Sequence, residues 1–231
     1  MSLAKIPFLV SVIWGINHGL ISPNRPLACD RPLSRPLVER YYVPCMEIVR
    51  KILCAISLIE VALITNSHLP SSPFASCIPD ALMPIGGLQS LRITTPFILG
   101  CLLNALGTLI RIHCYRKLGS AFTFELAIRR EQALVTDGAY SIVRHPGYTG
   151  GYMVVAGWFL AQMSSGCWAR EYPEKTASLS ATALWLGLLF PLLVGTFLRI
   201  DAEEMMLKGR FGKEWEEWAK RVPYKLVPRV W

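Results

Sequence analysis

The sequence predicts an all-α protein: an integral membrane helical bundle of about five transmembrane helices, with a C-terminal cytosolic helical cap and no Rossmann domain. Three observations carry this. Apolar runs of spanning length recur along 231 residues that are 52% hydrophobic and only 17% charged, with a mean hydropathy of +0.37, unusual for an ordinary soluble domain. Lys and Arg concentrate in alternate connections between those runs, the pattern of positive-inside sidedness. No G-x-G-x-x-G fingerprint of a dinucleotide-binding fold is present.

A bilayer core takes roughly 20 mostly apolar residues per spanning helix. Residues 6–21 are the first candidate. One Lys5 before the run, Pro7, Asn17 and His18 interrupting it, and no small-residue cleavage site after it indicate a retained helix rather than a cleaved signal. Residues 42–65 are the second, and they carry Glu47, Arg50, Lys51 and Glu60, which must face protein, pair, or snorkel to an interface. Residues 94–112, 151–162 with their flanks, and 179–198 complete the set. The chain then divides into 1–112, with three N-terminal spans, and 113–231, with two spans, a loop and the cap.

The connections differ in charge. Residues 23–40 hold Arg25, Arg31, Arg35 and Arg40, whereas 67–91 hold no Lys or Arg; 113–150 hold Arg116, Lys117, Arg129, Arg130 and Arg144, and the tail from Arg199 is richer still. Five spans put every basic connection on one side, with a lumenal N-terminus and a cytosolic C-terminus. The 164–176 turn, where Glu171 and Glu174 offset Arg170 and Lys175, becomes a neutral lumenal hairpin. The net charge of +8 points to anionic lipid headgroups rather than nucleic acid, because the basic residues form no single stripe with interleaved aromatics. Seven cysteines without a C-x-x-C pair or a His cluster indicate packing residues, with no metal site and no disulfide framework. A cap helix is expected over 202–221, with Met205, Met206, Phe211, Trp215 and Trp218 on one apolar face, lying on the membrane surface or closing over a pocket.

Two clusters of residues carry the chemistry. The first is Leu134-Val135-Thr136-Asp137-Gly138-Ala139-Tyr140 followed by Arg144-His145-Pro146-Gly147-Tyr148-Thr149-Gly150, at the cytosolic mouth of the fourth span. Asp137-Gly138 is a turn dipeptide, Pro146 opens a helix, and the small residues permit close approach of backbone and ligand. Taken singly, these residues also suit an interfacial aromatic belt with a snorkelling Arg. The second is Arg199-Ile200-Asp201-Ala202-Glu203-Glu204 at the cytosolic end of the fifth span. Arg199 and Glu203, four residues apart, share a helix face. In isolation that is a terminal ion pair. Beside aromatics at the same membrane surface, a cation and a carboxylate could hold a zwitterionic or sulfonium cofactor and an anionic substrate together.

With these motifs the sequence resembles the isoprenylcysteine carboxyl methyltransferases, among the membrane methyltransferases bearing R-H-P-x-Y-x-G. The resemblance runs from about residue 107 to the C-terminus. It takes in Leu118-Gly119 with Phe122-Thr123, Leu134-Val135-Thr136, Gly138-x-Tyr140 and Arg144-His145-Pro146-x-Tyr148-x-Gly150. It continues through Arg199 with Glu203-Glu204 and Leu207, Phe211-Gly212-x-x-Trp215 and Lys220-Arg221-Val222-Pro223. The N-terminal half adds only hydrophobicity.

The resemblance implies S-adenosyl-L-methionine as cofactor, held without a Rossmann domain by Gln132, Ala133, Leu134, Val135, Tyr140, His145, Pro146, Gly147, Tyr148 and Glu203. Glu125 joins them, standing where eukaryotic relatives carry a polar amide. Arg199 is implied as the substrate contact, and Arg199 with Glu203 as the catalytic pair. The implied partner is a prenylated protein C-terminus bearing farnesyl- or geranylgeranyl-cysteine, met at the cytosolic face of the endoplasmic reticulum membrane. Ser141, where many relatives have Arg, and Trp215 and Trp218, where Tyr is usual, depart from the pattern and bear on the shape of the substrate channel.

The chemistry asks little of acid–base groups. A carboxylate with a reference pKa near about 4 is already ionised at neutral pH, so no general base is required. Alignment and partial exclusion of water remain to be supplied, and a forked Arg199 contact suits the first. Other readings are methylation of a lipid amine or prenylated small molecule, a sterol reductase relative, and a non-catalytic carrier or scaffold in which Glu47, Arg50, Lys51 or Glu60 marks a pathway.

Overall fold

In the computed structural model, residues 3–21, 24, 36–68, 79, 82–84, 86–119, 122, 132–172 and 175–230 are described, with side chains outside 36–41, 175–186 and 188–192. Their elements are α1 Lys5–Gly19, α2 Pro36–His68, α3 Thr95–Leu118, α4 Pro146–Gln162, the short α5 Trp168–Glu171, α6 Lys175–Phe211 and α7 Lys213–Arg221. Short 3-10 turns occupy Leu88–Ser90 and Gly138–Ser141, and no β-strand element occurs among the described residues. Each of the five apolar stretches lies largely or wholly within a helix. One of these helices, Thr95–Leu118, is long and apolar enough to cross a membrane by length and composition.

α3 shows why a lipid surround suits this bundle. Leu99, Leu102, Leu106 and Leu109 form an outward row, 51–61% exposed, while the buried face carries Gly100, Asn104, Gly107, Thr108 and Arg111. Large apolar side chains outside and small or polar ones inside are the arrangement of helices packed in an apolar solvent. The inward face meets α4 with almost no side chain between the backbones. A Cβ on Gly107 would lie 2.6 Å from the Gly150 carbonyl oxygen, and one on Gly157 would lie 2.4 Å from the Asn104 amide nitrogen. Asn104 Nδ2 then donates to the Val154 carbonyl at 2.9 Å. The seven-residue spacing of Gly100 and Gly107 on one helix matches that of Gly150 and Gly157 on the other. Gly150, one of the small residues of the R-H-P segment, lets α3 approach, since a Cβ there would lie 2.7 Å from the Gly107 carbonyl oxygen.

The charged residues of the second apolar stretch are paired. Glu60 accepts from Lys5, which also donates to the Gly166 carbonyl at 2.6 Å and stands 4.6 Å from the centre of the Phe97 ring. Arg50 bonds Glu47 and the Asn17 side-chain oxygen. These contacts lock α1 to α2 and to the 163–172 turn.

Connections sort to two ends. Lys5, Arg92 and Gly166 meet at one, where the Arg92 amide donates to the Gly166 carbonyl at 3.0 Å. At the other, Asn24 Nδ2 donates to the carbonyls of Gly119 and Phe122 at 2.7 and 2.9 Å, and the C-terminal tail joins residues 144–149.

The expected cap helix over 202–221 needs correction. α6 runs unbroken to Phe211, and the chain turns at Gly212 with φ +54° before α7. Nothing between Arg199 and Phe211 stops a helix, so α6, at about 1.5 Å per residue, outruns a bilayer core of about 30 Å and carries Arg199 and Glu203 on its projecting end. Met205 is 58% exposed. Trp218 is buried, with Trp215 beside it, in a cluster with Tyr140, Cys114, Val222, Leu134 and Val135.

Candidate active site

Three segments distant in sequence build the site: the loop from Gln132 to Tyr148, the projecting end of α6, and the tail after α7. The loop enters α4 through His145, whose φ of −125° and ψ of 58° lie outside the helix, and Pro146 occupies the first turn, where its missing N–H costs no helical bond. The Arg144 and His145 amides donate to the carbonyls of Tyr224 and Lys225, each at 2.9 Å. Thr149 Oγ1 donates to the Leu226 carbonyl at 2.8 Å. The tail is thereby stitched to the loop by three hydrogen bonds.

Arg144 completes the stitching. Its Nη1 donates to the carbonyls of Val222 and Pro223, both at 2.8 Å, and its Nε donates to Glu204 Oε1 at 2.7 Å. Glu204 lies beside His145 Nε2 at 3.4 Å and Lys225 Nζ at 3.0 Å. Burial alone would raise the Glu204 carboxyl; hydrogen bonds from His145, Arg144 and Lys225 outweigh it and hold the group at about 2. An ionised carboxylate only accepts, so His145 Nε2 carries hydrogen.

Glu203, one residue earlier, turns toward the other edge of the imidazole, with Oε1 3.9 Å from His145 Nδ1 and its side chain 31% exposed. Its charge acts on both Tyr140 and Tyr148. Burial holds the Tyr140 phenol well above its ordinary value, so it remains an O–H donor. The His145 and Tyr148 rings meet edge to face, 5.9 Å between centroids. The Tyr148 hydroxyl in turn interacts with the Arg199 guanidinium, and Arg199, almost wholly buried, lies over the Tyr42 ring of α2 at 4.7 Å.

Of the residues singled out from the sequence, the fold thus brings Tyr140, His145, Tyr148, Arg199 and Glu203 around one another. Pro146 and Gly147 are buried at the start of α4. Among the described residues, a Cβ on Gly147 would meet the Phe122 ring at an ordinary 3.5 Å. Leu134 and Val135 pack with Tyr140, Trp215 and Trp218, while Ala133 is exposed and Gln132 half-buried. Glu125 lies outside the described residues.

Sequence reasoning left out Tyr42, Arg111, Glu204 and Lys225. Arg111 Nη1 donates to the Gly147 carbonyl at 2.8 Å and its Nε to the Tyr115 hydroxyl at 2.8 Å, holding the loop from the α3 side. Glu204 stood in the Glu-Glu pair but on a neighbouring face from Arg199. Tyr42 and Lys225 carried no local signal, because their partners are remote in the chain.

Residues 95–168 match the phospholipid methyltransferase family. Protein-S-isoprenylcysteine O-methyltransferase B of Arabidopsis thaliana is 34% identical over 128 residues, 54% of this chain and 55% of that protein. Protein-S-isoprenylcysteine O-methyltransferase of Schizosaccharomyces pombe is 32% identical over 122 residues, 51% of this chain and 44% of that protein. A Delta(14)-sterol reductase of Mus musculus is 28% identical over 98 residues, 42% of this chain and 20% of that protein. The chain spans about half the length of the curated methyltransferases it matches.

Proposed function

We propose that the chain is an isoprenylcysteine carboxyl methyltransferase, as its similarity to such proteins over about half its length supports, and that it catalyses S-adenosyl-L-methionine-dependent methyl esterification of the C-terminal isoprenylcysteine carboxylate of prenylated proteins, at the cytosolic face of an endoplasmic reticulum bundle with five spans. The observation that carries this is the single cluster in which Arg199, stacked on Tyr42, faces the Tyr148 hydroxyl while Glu203 flanks His145.

The residues fit the cofactor. Glu203 offers a partly exposed carboxylate to a cationic group, and Tyr140 and Tyr148 offer hydroxyls and rings. Residues 132–135, His145 and Pro146 would line the same grip. S-Adenosyl-L-methionine supplies, when bound, the activated methyl that an ionised carboxylate accepts.

Arg199 holds and orients the acceptor carboxylate. Its forked donors fix the angle of approach better than an ammonium would. Burial under α2 and α4 limits the water around the nucleophile. Glu203, one turn on, offsets the guanidinium charge so that the carboxylate is positioned without being fully neutralised. A prenyl chain, favoured in lipid by about 0.8 kcal/mol per methylene, keeps to the membrane plane while its carboxylate meets the projecting end of α6.

The match to phospholipid methyltransferases supports a second reading, methylation of a lipid amine. Arg199 weighs against it, since a buried guanidinium at the acceptor position favours an anion and repels an ammonium.

Membranes carrying the protein are expected to convert acetyl-farnesylcysteine and labelled S-adenosyl-L-methionine into a base-labile methyl ester. Saturable cofactor binding without ester formation would sink the reading, and N-methylation of added phosphatidylethanolamine in its place would establish the second.

A further inference from the structure

We propose that Tyr42, on the N-terminal helix α2, is a positioning residue of the acceptor site: its ring presents the Arg199 guanidinium to an anionic acceptor and so sets the preference for carboxylate over neutral ligands. This rests on Arg199 being the acceptor contact.

Three residues of α6 receive the Tyr42 side chain on one face. Gly195 admits the ring, since a Cβ there would approach Tyr42 Cδ2 to 3.1 Å. Thr196 Oγ1 lies 2.9 Å from the Tyr42 hydroxyl, which anchors the far end of the ring. Arg199, one turn on, lies over the ring with Cζ 4.7 Å from its centroid. The ring is therefore held at both edges before the guanidinium rests on it. The Tyr148 hydroxyl also interacts with Arg199, so the guanidinium is met from both α2 and α4.

An aromatic face is a particular kind of support for a cation. It attracts the charge through the ring quadrupole, yet it takes none of the in-plane N–H donors and leaves the net charge intact. A carboxylate in the same place would compete with the acceptor for those donors. Tyr42 thus stabilises a buried cation while keeping it available, which no aliphatic residue of similar size does. It also ties the catalytic half of the chain to a helix that otherwise contributes only packing.

The test compares full-length wild type, Tyr42→Leu, Tyr42→Met, Tyr42→Trp and Tyr42→Phe in membranes, with acetyl-farnesylcysteine as acceptor and its uncharged carboxamide as competitive inhibitor. Tyr42→Leu and Tyr42→Met are expected to raise the acceptor KM about tenfold, the size of a desolvated cation–π contact, with cofactor affinity unchanged. Inhibition by the carboxamide should stay as in wild type, so that discrimination between anionic and neutral ligands falls about tenfold. Tyr42→Phe, which keeps the π face and loses only the Thr196 bond, and Tyr42→Trp should largely restore the acceptor KM. An unchanged KM in the Leu and Met variants, or equal weakening of acceptor and carboxamide, would overturn the proposal while leaving the esterification reading intact. A wild-type protein that binds cofactor but forms no ester removes both. Should Leu abolish cofactor binding through misfolding, the Met and Phe pair decides the matter by the same KM comparison.

Discussion

Arg144 Nε donates to Glu204 Oε1 at 2.7 Å, across sixty positions of sequence, and so joins the first residue of the R-H-P run to the projecting end of α6. The same carboxylate faces His145 and Lys225. The arginine of the run is thus occupied in holding the loop, α6 and the tail together.

Removing Arg144 leaves the Glu204 carboxylate and the carbonyls of Val222 and Pro223 without their main donor. Arg144→Ala is expected to destabilise by about 3–5 kcal/mol, the usual cost of breaking a largely buried pair, and Arg144→Lys by less. Thermal unfolding in detergent checks this; a midpoint unchanged from wild type would contradict the clamp.

The clamp has a pH signature. Glu204 is held below its ordinary value of 4.5, at about 2, so its stabilisation is complete above pH 4.5 and is lost as pH falls toward 2. Its upper bound is on the order of 3 kcal/mol. Lys225, whose modest burial works against its charge, is nevertheless raised above 10.5 by Asp201 and Glu204, so its contribution persists up to that value and fades above it. Unfolding of wild type and Glu204→Gln, followed across pH, should give a difference that is flat near neutrality and closes on the acid side. A difference that grew below pH 4 would refute the assignment.

Arg199→Ala should reduce ester formation by at least about a hundredfold, since a buried charged hydrogen bond to the reacting group is typically worth about 2–4 kcal/mol. Cofactor affinity should hold. His145→Ala and Tyr148→Phe should do the reverse at the binding step, weakening the cofactor. Isothermal titration with S-adenosylhomocysteine separates the two; equal loss of binding in Arg199→Ala would place that residue with the cofactor.

Gly157→Ala forces a methyl to within 2.4 Å of the Asn104 amide nitrogen, backbone against backbone with nothing flexible to yield. A loss of about 1–3 kcal/mol or more is expected, as for overpacking. Gly209→Ala, in α6 with nothing within 4 Å of its added Cβ, should stabilise by about 0.5–1 kcal/mol through the helical entropy term. Parallel melting curves for the pair test the glycine-lined seam, which would be disproved by equal behaviour.

Legibility in the sequence followed the range of each interaction. Helices at residues 6–21, 42–65, 94–112, 151–162 and 179–198 were readable because apolar length is a local property, and α4 could be started at Pro146 because proline acts on its own neighbours. The end of α6 is not legible in the sequence, since a change from apolar to charged residues resembles a helix boundary although the helix continues to Phe211. The role of Gly150 in the seam was not legible, because its partner, Gly107, lies on another helix. Leu134, Val135, Tyr140, His145, Tyr148, Arg199 and Glu203 could be named from ordered motifs, but not their arrangement.

By itself the sequence determined the helical class of the chain, the places of its apolar stretches and the residue types that its ordered motifs supply. Only the tertiary structure decided that Arg199 lies on Tyr42, that Glu204 serves Arg144 and His145 together, and that the tail at Tyr224 and Lys225 completes the R-H-P loop. The physical reason is that helix formation and sidedness are sums over neighbouring residues, whereas a cation on a ring or a carboxylate shared by three donors depends on how separate helices pack, and no local pattern encodes that distance.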